Sequence, residues 1–120
     1  MSGPTTEDQG FGHGAVEEHS DVFRSILLGF VRLHILNEAN KEPIYGVGLL
    51  NSLSESGYKL SPGTLYPLLH SFEKAQFLAK EPVTVDGKVR KYYEITDLGR
   101  KVLADTRGRL QRLTNDISTD

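Results

Sequence analysis

The chain has 120 residues, a net charge of −2, 38% hydrophobic and 25% charged residues, and neither Cys nor Trp. That length suits one compact domain with little room for a second function inside it. The lack of Cys excludes disulfides, thiol catalysis and Cys-ligated zinc. No stretch reaches the roughly 18 apolar residues of a membrane span and no basic-then-apolar leader opens the chain, so a cytoplasmic protein with no membrane partner is expected.

Residues 1–19 are rich in Gly and carry Glu7, Asp8, Glu17 and Glu18 without any Lys or Arg. With no hydrophobic period, they predict a flexible acidic extension. Its His13 and His19 lack the fixed scaffold a metal needs, so no metal site is expected. Ser20 or Asp21 is placed to cap a first helix from Val22 to about Glu38. The apolar residues of that helix, among them Phe23, Leu27 and Phe30, wrap more than one face, so it must be covered on more than one side. A second subunit is one such cover. Pro43 suits the first turn of a second helix, which runs to about Ser56, and Gly57 suits the left-handed position after its end.

Ser61 then stands as N-cap and Pro62 as first residue of a third helix ending near Gln76. Leu65, Leu68, Leu69 and Phe72 fall at i, i+3, i+4 and i+7 and predict one apolar stripe. Phe77–Val85 and Lys88–Ile95 flank Asp86-Gly87, a two-residue hairpin turn that needs positive φ at both positions. Pro82 points to an edge strand. Thr96 is placed to cap a last helix of roughly 20 residues with a loose seam that includes Leu103, Leu110, Leu113 and Ile117. Gly99 and Gly108 are expected to weaken it. The order helix, helix, helix, hairpin, helix predicts a mainly α fold with one β-hairpin, a winged helix-turn-helix. Residues 1–19 form the extension, 20–96 the winged helix and 97–120 a C-terminal dimerisation helix.

The outward face of the third helix carries the argument for function. It presents Gly63, Thr64, Tyr66, Pro67, His70, Ser71 and Lys74. A helix enters the major groove when its leading face is slim and can hydrogen-bond to phosphates and base edges. Ser61 and Thr64 offer hydroxyls at a helix N-terminus, where free backbone N–H groups also attract phosphate. Pro67 removes a backbone donor and clashes with the Gly63 carbonyl, so a bend or an adjustment at Gly63 is expected. The hairpin adds Lys88, Arg90 and Lys91, cations that can lie along phosphates and so position the protein without reading sequence. Setting aside the five acids of residues 1–21, the remainder carries a net charge of +3.

The segment Leu60-Ser61-Pro62-Gly63-Thr64-Leu65-Tyr66-Pro67-Leu68-Leu69, with Arg90-Lys91-Tyr92-Tyr93-Glu94-Ile95-Thr96-Asp97-Leu98-Gly99-Arg100, closely resembles the PadR family of winged-helix transcription regulators. Ile44-Tyr45-Gly46 and the apolar first helix are similar too, and the likeness spans about residues 22–113. The resemblance implies a homodimer built on the first and last helices and a palindromic operator in double-stranded DNA. It implies a repressor released by a small aromatic effector, with no cofactor. It implies DNA contacts by Tyr45, Ser61, Thr64 and Tyr66, with Lys88, Arg90 and Lys91 in the wing. The chain length matches the short subfamily. Some short members hold flat aromatic ligands between the last helices by stacking on Trp, a residue this chain lacks. The alternative is a winged-helix module for protein–protein contact without DNA binding. No paired carboxylates, nucleophile with a base, phosphate loop or metal-ligand spacing supports an enzyme.

Overall fold

The computed structural model describes residues 20–118. The expected acidic extension, residues 1–19, lies outside the described residues. Seven elements follow in order: α1 (Ser20–Lys41), β1 (Ile44–Tyr45), α2 (Gly46–Glu55), α3 (Pro62–Lys74), β2 (Leu78–Val85), β3 (Lys88–Ile95) and α4 (Asp97–Ser118).

Helix α1 is longer than its pattern suggested, and Ser20 and Asp21 lie within its first turn rather than before it. Acidic Asp21 there still meets the positive end of the helix dipole. Val31, Ile35, Leu36 and Ala39 are buried along its second half, whereas Val22, Ile26 and Phe30 remain exposed. The apolar wrap noted in the sequence is therefore divided, one side inside the protomer and one side outside.

Pro43 does not start a helix. Ile44 and Tyr45 form a short strand that pairs antiparallel with Tyr93 and Tyr92, and α2 begins at Gly46. Two residues carry almost no periodic signal of their own. They are extended because the edge of β3 offers unpaired backbone groups to satisfy and because Ile44 reaches the core. Gly57, with φ of 97°, ends the α2 turn as expected.

The hairpin is as its turn dictates. Asp86 and Gly87 have φ of 51° and 76°, the geometry that matches the twist of the flanking strands. Strands pair in the order β1-β3-β2, so Pro82 does sit on an edge strand, opposite Lys91. The core lies where α1, α2, α3, the sheet and the start of α4 meet. Leu53, Leu65, Leu69 and Leu78 are its most enclosed side chains, together with Val31 and Ile35.

Thr96 ties the hairpin to α4. Its hydroxyl accepts from the Gly99 N–H at 2.9 Å and donates to the Gln76 carbonyl at 2.6 Å. Gly99 is buried, and a Cβ there would run into the Phe77 carbonyl and lie 2.8 Å from Ile95 Cγ1. The expected helix-weakening glycine is thus the residue that lets α4 pass close over the sheet root.

Candidate nucleic-acid interface

Helix α3 presents two faces of opposite character. Leu65, Leu68, Leu69 and Phe72 are all buried. Gly63, Tyr66, Pro67, His70 and Lys74 are exposed, and Thr64 is half-buried. Ser61 occupies the N-cap position with extended backbone (φ −85°, ψ 158°), but its side chain does not cap the helix. Its carbonyl accepts from the Thr64 and Leu65 N–H groups, each at 3.0 Å. Its hydroxyl instead shares a 3.3 Å hydrogen bond with the Thr64 hydroxyl. Pro62 has no N–H, so in the first turn of α3 only the Gly63 N–H is left open to a ligand. Helix α3 runs unbroken through Pro67. The Gly63 carbonyl lacks its i+4 donor there, at an exposed position that solvent can serve.

Residue 45 links the sheet to this helix. Tyr45 lies 5.2 Å, centroid to centroid, from the Tyr92 ring. The Arg90 guanidinium sits 4.8 Å over the Tyr45 ring on its centroid, a cation–π contact that holds a long, flexible wing side chain near the body of the protein. Next to Tyr45, Gly46 leaves no space for a Cβ because the Tyr66 hydroxyl and ring occupy it. Tyr66 thereby packs against the first turn of α2.

These contacts bring Tyr45, Tyr66, His70, Arg90 and Lys91 to one concavity of about 400 Å³, whose other lining residues are Gly46, Val47, Val89 and Tyr93. No carboxylate lines it. Burial, with the nearby Glu73 carboxylate and Tyr66, raises the Tyr93 hydroxyl above its ordinary range, so it stays neutral at the base of the site. Ser61, Pro62 and Gly63 stand at the start of α3, Lys74 at its end and Lys88 at the hairpin turn, all exposed and outside this concavity. The register puts Lys88 and Arg90 on the same face of β3 as Tyr92, with Lys91 on the other.

Arg24 is a residue of this region that sequence reading missed. From α1 it donates to Thr64 Oγ1 at 3.3 Å, across 40 positions of sequence. No local pattern signals a contact of that kind.

The residues expected at a dimer contact divide differently. Leu103 is 3% exposed and belongs to the protomer's own core. Its expected place at the dimer contact is corrected accordingly: the helix turns that residue inward at the point where it still packs on α1. Phe23 and Leu27 are half-buried. Phe30, Leu110, Leu113 and Ile117 are exposed, the last three at 37%, 50% and 67%. Phe30, Leu110 and Leu113 border an open, largely apolar groove of about 500 Å³ between α1 and α4, together with Ile26, Gly29 and Val102.

The family model for the PadR-like transcriptional regulators matches residues 33–105. A curated relative, the transcriptional regulator Rv3488 of Mycobacterium tuberculosis, is 42% identical over 87 residues, which cover 72% of this chain and 81% of the relative. Among solved structures, a PadR family regulator from Eggerthella lenta matches with a TM-score of 0.67 at 29% identity, over 87% of this chain and 99% of that one. A PadR-like regulator from Bacillus cereus matches with a TM-score of 0.69 at 29% identity, over 80% and 98% respectively. The fold, the exposed polar face of α3 beside a basic wing, and these likenesses agree: the chain belongs to the PadR-like family of transcriptional regulators, DNA-binding winged-helix proteins and not enzymes.

Proposed function

We propose that the protein is a homodimeric, sequence-specific regulator that binds a palindromic operator, with α3 in the major groove and the β2–β3 wing on the adjacent backbone. The observation that carries this is the shared concavity of Tyr45, Tyr66, His70, Arg90 and Lys91, which lines up a helix face and a wing with no acid between them. In this reading Ser61, Pro62, Gly63 and Thr64 approach the DNA first, Tyr66, His70 and Lys74 follow along the helix, and Lys88, Arg90 and Lys91 hold phosphates. Residues 20–96 form the DNA-reading unit and residues 97–120 the dimerisation helix. Exposed Phe30, Leu110, Leu113 and Ile117, with half-buried Phe23 and Leu27, support pairing with a second copy, since apolar area of this kind is stabilised by exclusion from water. Family membership supports the repressor role and release by a small aromatic effector.

A binding titration tests the interface. Replacing Lys88, Arg90 and Lys91 together by Ala should weaken DNA binding by about 10- to 100-fold, similarly across sequences, and flatten the log-affinity against log-salt slope by about three units. An unchanged slope removes the wing from the interface. A protected palindrome in a footprint of the regulator's own promoter supports the operator reading; absence of binding to any duplex favours a protein-interaction module.

A further inference from the structure

We propose that Arg24 of α1 is a further DNA-binding residue, a contact to the phosphate backbone beside the first turn of α3. The inference rests on reading the start of α3 as the end that enters DNA first. Arg24 lies on the second turn of α1. Leu28, Val31 and Ile35 follow it at i+4, i+7 and i+11, the spacing of one helix face. Val31 and Ile35 are buried, and Leu28 packs against the same core. Arg24 therefore continues the inward stripe of α1 past the point where the core ends. There the stripe meets the start of α3, and Arg24 Nη2 donates to Thr64 Oγ1 at 3.3 Å. Arg24 is itself exposed, so a ligand arriving along α3 can reach the same guanidinium.

Geometry and chemistry both select phosphate as the partner. An α-helix with its side chains is about 10–12 Å across, and the major groove is about 12 Å wide. The helix fills the groove, so a group standing beside its first turn meets the phosphate edge and not the bases. A guanidinium presents five N–H donors in a planar fork that fits phosphate oxygens two at a time. Its bond to Thr64 takes one donor, and a two-point phosphate contact is compatible with it. At 3.3 Å the bond to a neutral hydroxyl is long. A phosphate oxygen offers the same group a charged acceptor, whose hydrogen bonds are shorter and about twice as strong. Thr64 also shares a 3.3 Å hydrogen bond with the Ser61 hydroxyl, so the guanidinium and the two hydroxyls of the leading turn stand together. The DNA-reading surface then has three elements: α1, α3 and the wing. A phosphate contact positions the protein and reads no sequence. Arg24 thus sets affinity and register, while α3 sets the choice of site.

The test uses the full chain and compares R24Q and R24K with the unaltered protein, on the operator found by footprinting and on an unrelated duplex. R24Q should weaken binding to both duplexes alike, by about two- to fivefold for each protomer bound, the range of an exposed ion pair. It should flatten the log-affinity against log-salt slope by about one unit for each protomer, and R24K, which keeps the charge, should retain that unit. Circular dichroism of R24Q should be unchanged, because Arg24 is exposed. Neutralising operator phosphates one at a time as methylphosphonates should find a position that weakens the unaltered protein and leaves R24Q unaffected. An unchanged slope in R24Q overturns the proposal even if affinity falls, because Arg24 then acts only by holding Thr64. A loss confined to the operator overturns it too, and so does a phosphate scan that weakens both proteins at the same positions. If R24Q changes nothing while the K88A/R90A/K91A variant loses affinity, Arg24 alone leaves the interface. If that wing variant keeps its affinity as well, the interface reading fails with it.

Discussion

Among the described residues two outward surfaces stay uncovered, and they are opposite in character. One is the α3–wing face, where polar and cationic side chains project from a framework held by Tyr45, Tyr66 and Arg90. The other is the α1–α4 face, where Ile26, Phe30, Leu110, Leu113 and Ile117 are exposed around an open groove. Charge placed on rigid elements suits a polyanion, because phosphate contacts gain by releasing counterions. Exposed apolar side chains gain only when another apolar surface removes them from water. In the proposed reading the first surface meets DNA and the second meets a second copy of the chain.

The largest expected effect breaks the apolar side of that contrast. Leu110→Glu with Leu113→Glu removes two burials of about 1.5–3 kcal/mol each and should raise the dimer dissociation constant at least about 100-fold, since 1.4 kcal/mol is a factor of ten. Sedimentation checks this, and circular dichroism should remain unchanged because both residues are exposed in the protomer. A dimer that persists excludes the distal half of α4 from the interface. DNA affinity should fall with the dimer, since each protomer presents only one α3.

A smaller effect sharpens the polar side. In Gly46→Ala the new Cβ occupies the place of the Tyr66 ring. Tyr66 is partly exposed and can swing away, so thermal stability should change by no more than about 1–3 kcal/mol, the usual cost of overpacking. DNA affinity should fall about ten- to 100-fold, the value of one lost hydrogen bond to a charged group, about 1.5–3 kcal/mol. A melt and a binding titration on the same variant separate the two; unchanged affinity would remove Tyr66 from the interface.

The smallest effect concerns the helix that both surfaces share at its root. Asp97 opens α4, and a 2.6 Å hydrogen bond from Arg100 holds its carboxyl below the ordinary value of 3.8. The folded state thus keeps this charge to lower pH than the unfolded chain does. Its stabilising contribution is complete above that ordinary value and is lost as pH falls through the lowered one. Asp97→Asn should abolish that part of the acid dependence in thermal melts, with little change in DNA affinity near neutral pH.

Much of the polar surface was legible in the sequence because it lies on two locally coded elements. The stripe Leu65, Leu68, Leu69 and Phe72 fixes which face of α3 turns inward, and so which residues are left outside. Asp86-Gly87 fixes the wing, since its two positive φ values allow a single kind of turn. The contacts that make these elements one site were not legible. Tyr45 was expected on a helix, but it sits on a strand only two residues long, extended by pairing with Tyr92. The contact of Arg24 with Thr64 spans 40 positions and has no local period. Ser61 has the residue type of a side-chain cap, yet its hydroxyl turns to Thr64, a choice between two weak hydrogen bonds that neighbours decide.

Helix α4 shows the same division within one element. By itself the sequence determined that this helix forms, where Thr96 starts it, and that it carries a sparse apolar seam. Only the tertiary structure decided how that seam is shared: Leu103 faces the core while Leu110, Leu113 and Ile117 face outward. It also reversed the meaning of Gly99, a weak helix former in the sequence and a necessary gap against the Phe77 carbonyl in the fold. The reason is physical. Helix and turn preferences are set by atoms a few residues apart, so they can be read along the chain. The allotment of an apolar side chain to its own core or to an outer face depends on how much area the rest of the fold can cover, and that is known only once the elements have packed.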